Sequence, residues 1–208
     1  MSNPGPNPLL LLISAPSGGG KTTVTAQILA TDSNTVRAVT CTTRPPRDGE
    51  REGIDYYFLD PADFLRRVQS GHFLEHATVY GNSYGTLKSE VLGLLRQGKD
   101  VLLNVDVQGA AAIRAKAQAD PELARALVTI FLTPPSLSVL EDRLKGRAKD
   151  SAASIQKRLS VARQEIAQWK HFDYLVLSQT VAEDLRRVQA ILAAERMRNF
   201  RVTPPKLD

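Results

Sequence analysis

The sequence predicts an α/β fold in which a parallel sheet carries helices on both faces. Three observations lead there. Residues 9–13 form an unbroken apolar run, as a strand covered on both faces requires, and a Gly-rich turn leads from it into a helical pattern over 22–30. The same change of period recurs at 101–105 before 108–113, at 127–132 before 137–144, and at 174–177 before 181–199. The 208 residues, 42% hydrophobic and 24% charged, suffice for one domain with a substantial core.

Two stretches interrupt the alternation. Residues 40–86 mix arginines, glycines, aromatic residues and short extended pieces, the pattern of a small substrate-binding insertion with little core of its own. Residues 146–170 are polar and basic at their start and helical after Ser154. The Pro-, Gly- and Asn-rich residues 1–8 read as a disordered tail, and 201–208 as a second tail.

The formal charge of +5, from 27 basic and 22 acidic residues, favours an anionic partner. Charges of both signs are interspersed, which disfavours a polybasic tail. A lone cysteine, Cys41, excludes an intrachain disulfide and any two-cysteine metal spacing. The apolar run at 9–13 is far short of the roughly 20 residues that span a bilayer, and the start lacks the basic stretch of a secretory signal, so a cytoplasmic protein with no membrane partner is expected. His72, His76 and His171 have no metal-ligand spacing, and no Ser/His/Asp order suggests a hydrolase.

Chemistry concentrates in four places. Ser14-Ala15-Pro16-Ser17-Gly18-Gly19-Gly20-Lys21-Thr22, with Thr23 after it, follows the first strand and opens a helix, the setting of a phosphate-binding P-loop. Backbone N–H groups there wrap phosphates, Lys21 reaches the transferred phosphoryl, and Thr22 offers a hydroxyl to Mg²⁺. The strict motif has Gly at the position of Ala15. Next, Thr40-Cys41-Thr42-Thr43-Arg44-Pro45-Pro46-Arg47-Asp48-Gly49-Glu50, followed by Tyr56, sets two guanidinium forks three residues apart on a stiff Pro-Pro pair, which suits a phosphate monoester. Third come the segment from Glu75 to Thr86, with Tyr84 inside it, and Asn104-Val105-Asp106-Val107-Gln108-Gly109. Last, Arg143, Arg147 and Arg158 cluster around the second interruption.

In this order and at these spacings, the motifs closely resemble the guanylate kinases, over roughly residues 9–199. The resemblance implies a P-loop nucleoside monophosphate kinase-like fold: core at 9–39, 87–145 and 171–200, GMP-binding region at 40–86, and lid at about 146–170. It implies ATP as co-substrate on residues 15–23 with Mg²⁺ at Thr22, and GMP as phosphoryl acceptor. Glu75 and Asp106 match the family's carboxylates facing the guanine donors, and Thr40 and Thr86 its hydroxyls near the base. Guanine presents N1–H and an exocyclic amine, so carboxylate acceptors suit it and adenine would leave them unpaired. Arg44, Arg47, Tyr56 and Tyr84 match the residues on the GMP phosphate. Lys21, Arg44 and the lid arginines Arg143, Arg147 and Arg158 match the catalytic cations, which stabilise charge as the phosphoryl moves.

Two positions depart from the family. Many relatives have a carboxylate at Asn104, so a raised Mg²⁺ requirement is expected, and at Ser178 an Asn is common, so a looser contact to the ATP base is expected. The rival readings are a non-catalytic guanylate kinase-like binding module, which tends to lose the P-loop lysine and lid arginines kept here, a kinase for another nucleoside monophosphate, and a nucleic-acid binder, for which only net charge speaks.

Overall fold

The structure, a computed structural model, describes residues 7–146 and 152–205. Strand β1 (Leu10–Ser14) is buried along its whole length and ends in the Gly-rich turn, from which helix α1 (Lys21–Thr31) starts. A short strand, β2 (Thr35–Arg37), follows and leads into β3 (Thr40–Thr42) and β4 (Tyr56–Phe58). Helix α2 (Pro61–Gln69) begins with Pro in its first turn, and the Asp60 side chain accepts from the Asp63 N–H, so one orphan donor of the helix start is satisfied. The hairpin β5 (Phe73–Val79) and β6 (Asn82–Leu87) closes through Tyr80 and Gly81, with Tyr80 at φ 49°. That tight turn sets the register of the two strands. Then come α3 (Lys88–Arg96), β7 (Asp100–Asn104), α4 (Val107–Gln118), α5 (Pro121–Ala126) and β8 (Leu127–Thr133). Helices α6 (Leu137–Lys145) and α7 (Ala152–Ile166), strand β9 (Tyr174–Leu177) and α8 (Val181–Arg196) complete the chain. The last helix stops three residues before the expected Asn199.

The central sheet has the order β2-β7-β1-β8-β9, and every pairing in it is parallel. Alternate residues of β1 serve opposite faces. Leu10 and Leu12 join Val101, Leu103, Ala110, Ile113 and Leu123 in one core, under α3, α4 and α5. Leu11 and Ile13 join Leu102, Ile130, Val24, Ile28, Val188 and Leu192 in the other, under α1 and α8. Covering both faces is the reason β1 carries no polar residue before Ser14. Each fully buried leucine of the strand contributes about 2 kcal/mol.

Residues 40–86 build a separate four-stranded sheet, β4-β3-β6-β5. One side packs on α2 around buried Cys41, Phe64 and Phe73, whose two rings stack at 4.5 Å. The opposite side carries the residues taken up below. Strand β2 and helix α5 escaped the sequence reading because three and six residues are too few to show a period.

At the edge of the fold, the residues counted above with the tails make contact with the body. The Asn7 N–H donates to the Arg201 carbonyl at 3.1 Å, and an Arg201 guanidinium nitrogen donates to the Pro8 carbonyl at 3.3 Å. Arg201 is buried, 3.7 Å from the buried Glu195 carboxylate. No described helix is long and apolar enough to cross a membrane.

Candidate active site

The Gly-rich turn, Asn104 and Ser178 lie at the C-terminal ends of the parallel strands, where an open α/β sheet leaves its crevice. Because β1 lies between β7 and β8, the Gly-rich turn opens beside the segment that leaves β7. Gly18 has φ +89°, and a methyl placed on it would approach Leu144 and Leu140 of α6 to 3.0 and 3.1 Å. A side chain there would meet both backbone strain and a packed helix.

The turn lines a cavity of about 330 Å³ formed by Ala15, Pro16, Ser17, Gly18, Gly19, Gly20, Lys21, Thr22 and Thr23, with Asp106 and Glu165. The Lys21 ammonium donates to the Val105 carbonyl at 3.1 Å. Burial lowers its pKa, and the nearby Asp106 and Glu165 carboxylates oppose that shift. Thr22 is exposed in the first turn of α1. Glu165, in the last turn of α7, was not singled out from the sequence. Its carboxylate accepts from the Ser17 N–H at 3.4 Å, and its pKa is raised by burial. No motif marks it, since only the packing of α7 brings it to the turn.

On the small sheet, the register gathers the expected base-binding residues. Tyr56 pairs with Thr40, Thr40 with Thr86, and Thr86 with Glu75, so one row crosses all four strands. Tyr84, opposite Thr42, lies two residues from Thr86 on the same face. The Thr86 hydroxyl donates to Glu75 at 2.7 Å. Burial raises the Glu75 pKa, the Thr86 bond opposes the rise, and the Asp106 charge adds to it. The two carboxylates converge near Gly109. A methyl at 109 would lie 3.4 Å from an Asp106 oxygen and 3.6 Å from a Glu75 oxygen, so the missing side chain leaves them room. Asp106 also caps α4, accepting from the Gly109 N–H at 2.7 Å. It therefore belongs to both halves of the site.

Arg44 sits over the Tyr56 ring at 5.4 Å and forms a two-point bond to Glu50 at 2.8 and 2.9 Å. The rings of Tyr56 and Tyr84 meet edge-on at 6.3 Å. Glu50 also accepts from the Arg47 N–H at 2.8 Å, and the Arg44 guanidinium holds its carboxyl below the ordinary range. Glu50 thus orients the arginine loop, a role its place at the end of the motif did not reveal. Arg47 itself is exposed.

The arginines expected of the lid are placed differently from one another. Helices α6 and α7 pack through Leu140, Leu144, Ile155, Leu159 and Ala162. Arg158 is half-buried on α7, and Arg147 lies outside the described residues. Arg143 is turned to the end of β9, donating to the Ser178 hydroxyl and the Gln179 carbonyl, both at 3.0 Å. Ser178 is buried and bonded to Asp184 at 2.6 Å, so its short side chain faces inward. Asn104 is exposed at the end of β7. Among the described residues, no group of three His, Cys, Asp or Glu could hold a metal ion.

The same arrangement has relatives. A family model described as guanylate kinase matches residues 7–195. A guanylate kinase of Novosphingobium aromaticivorans is 45% identical over 94% of this chain and 86% of its own length. One from Coxiella burnetii is 43% identical over 90% and 88%. The crystal structure of guanylate kinase from Anaplasma phagocytophilum superposes with a TM-score of 0.69 at 33% identity, covering 96% of this chain and 92% of that one. Similarity of this extent spans both sheets and every motif from the Gly-rich turn to α8, so the chain belongs to the guanylate kinase family.

Proposed function

We propose that this chain transfers the terminal phosphoryl of ATP to GMP, giving ADP and GDP. The observation that carries the reading is Asp106, which lines the Gly-rich cavity and also stands beside the half-buried Glu75 and its partner Thr86, so that donor and acceptor sites share a wall. ATP phosphates take backbone N–H groups within residues 15–23, where Pro16 has none and that of Ser17 now meets the Glu165 carboxylate. Guanine N1–H and its amine pair with Glu75 and Asp106, the Thr40 and Thr86 hydroxyls stand beside the base, and Arg44, Arg47, Tyr56 and Tyr84 take the GMP phosphate. Residues 40–86 are then the GMP-binding region. The segment of about 146–170 is the lid, whose closure excludes water from the transferring phosphoryl.

Lys21, with Arg143, Arg147 and Arg158, stabilises the charge spread over the moving group, and no side chain becomes covalently modified. A Mg²⁺ ion fits this donor set. It keeps most of its shell as water and phosphate oxygens, so the exposed Thr22 hydroxyl suffices as a protein ligand without an acidic cluster. Its contribution is charge neutralisation on the ATP phosphates. A cytoplasmic setting accords with the buried free thiol of Cys41.

The test is a coupled assay with Mg-ATP and GMP, dGMP, AMP, UMP or CMP in turn. ADP release with GMP and none above background with AMP is expected. Absence of turnover with GMP would overturn the reading, and equal rates with AMP would overturn the base assignment.

A further inference from the structure

Arg143, one of the arginines read as lid cations, has partners that converge on a single further residue. Its two terminal nitrogens donate to the Ser178 hydroxyl and the Gln179 carbonyl. Behind both acceptors stands Asp184, buried to 3% exposure in the first turn of α8. One Asp184 oxygen accepts from the Ser178 hydroxyl at 2.6 Å, and the other accepts from the Gln179 N–H at 3.0 Å. A carboxylate only accepts and a guanidinium only donates, so the direction of each bond is forced. The Ser178 proton is committed to Asp184, and its lone pairs are left for Arg143. Gln179, fixed through its N–H, presents its carbonyl to the second nitrogen.

We infer that Asp184 is a positioning residue for phosphoryl transfer, acting through Ser178 and Gln179 to hold the Arg143 guanidinium at the donor end of the site. The inference rests on the reading of Arg143 as a cation that serves the ATP end. The location agrees with that use. Ser178 donates its N–H to Thr133 at 2.8 Å, so the relay sits at the C-terminal ends of β8 and β9, on the crevice side of the sheet. Helix α6, which carries Arg143, packs Leu140 and Leu144 toward Gly18 of the phosphate-binding turn. A long, rotamer-rich side chain at the mouth of a crevice loses freedom when a nucleotide orders it. Two acceptors locked from behind remove part of that loss before ATP arrives. The relay also changes what Ser178 does in this chain: its hydroxyl is used to hold an arginine, and the residue that makes this possible lies six positions further along.

Steady-state kinetics of Asp184→Ala, Ser178→Ala and Ser178→Thr, alone and combined with Arg143→Ala, separate the possibilities, with Tm measured for each. Asp184→Ala and Ser178→Ala are expected to lower kcat/KM for ATP about tenfold, the range for residues in one hydrogen-bond network. The KM for GMP stays unchanged, and Ser178→Thr, which keeps the hydroxyl, recovers most of the loss. In the Arg143→Ala background neither change lowers kcat/KM further. A merely structural role would instead lower Tm and affect both substrates alike, and losses that multiply with Arg143→Ala would overturn the relay. A faster Asp184→Ala enzyme would overturn it too, because the relay would then restrain Arg143 from its work. If Arg143→Ala itself left turnover with ATP intact, the reading of Arg143 would fail and the relay with it, whereas loss in Arg143→Ala with none in Asp184→Ala would sink the relay alone. Should Asp184→Ala not fold, Ser178→Ala, which removes a single hydroxyl, carries the same comparison.

Discussion

At the scale of the residue, the site uses groups held away from their relaxed state in water. Glu75 is the plainest case, with burial and Asp106 both raising its pKa above the ordinary 4.5. A raised carboxyl binds its proton more tightly folded than unfolded, so stability of the free protein falls as pH rises from 4.5 through the raised value. Glu75→Gln removes that loss. The variant is expected to melt above the parent at pH 7.5, with the difference shrinking near pH 4, while kcat/KM for GMP falls about 10- to 100-fold, the worth of a hydrogen bond to a charged group. Melting curves at the two pH values check the sign; an equal offset at both would refute it. Asn104 supplies a second test. Asn104→Asp is expected to lower the Mg²⁺ concentration for half-maximal rate without changing the KM for GMP, read from a Mg²⁺ titration at fixed ATP. Both residues were legible in the sequence, Glu75 because its type and offset match a motif and Asn104 because its type departs from one. Glu50 and Glu165 were not, since their partners Arg44 and Ser17 come close only through a turn and a distant helix.

At the scale of the element, the register of β3, β4, β5 and β6 turns four scattered residues into one row, Tyr56-Thr40-Thr86-Glu75. Side chains alternate along a strand, so a slip by one residue would send Thr86 and Tyr84 to the packed side, against Phe73. The Gly-rich turn is constrained in another way, by the helix stacked on it. Gly18→Ala is expected to cost about 1 to 2 kcal/mol, from a methyl at positive φ and its push on Leu140 and Leu144. It should also raise the KM for ATP more than that for GMP. Urea unfolding and paired KM values read the two effects, and a stability unchanged from the parent would show that α6 yields freely. The sequence placed this turn correctly between strand and helix. It carried no sign that α6 would be the element pressed against it.

At the scale of the whole molecule, one cation ties together segments far apart in the chain. Arg196 of α8 reaches Asp32 after α1, Asp100 of β7 at 2.8 Å and Thr35 of β2 at 3.3 Å, while Asp100 accepts from the Leu9 N–H at 2.7 Å. The arginine helps hold Asp32 below its ordinary range, so that part of the stability is present above pH 3.8 and is lost as acid protonates the carboxyl through its lowered value. Because Asp100 is only 3% exposed in its side chain, Arg196→Ala would leave a buried charge unpaired. A loss of about 2 kcal/mol in urea unfolding is expected, below the 3 to 5 typical of a fully buried pair because Arg196 is partly exposed. A loss under half of this would mean that Asp100 is compensated elsewhere. By itself the sequence determined the parallel sheet, through apolar runs that only double-sided burial can use, and the family, through local motifs in order. Tertiary structure alone decided which groups meet. Asp106 at the Gly-rich cavity and beside Glu75, Asp184 standing behind Arg143, and Asn7 held by Arg201 are contacts between segments that no local period connects, and they exist because the packed sheet brings those segments to one place.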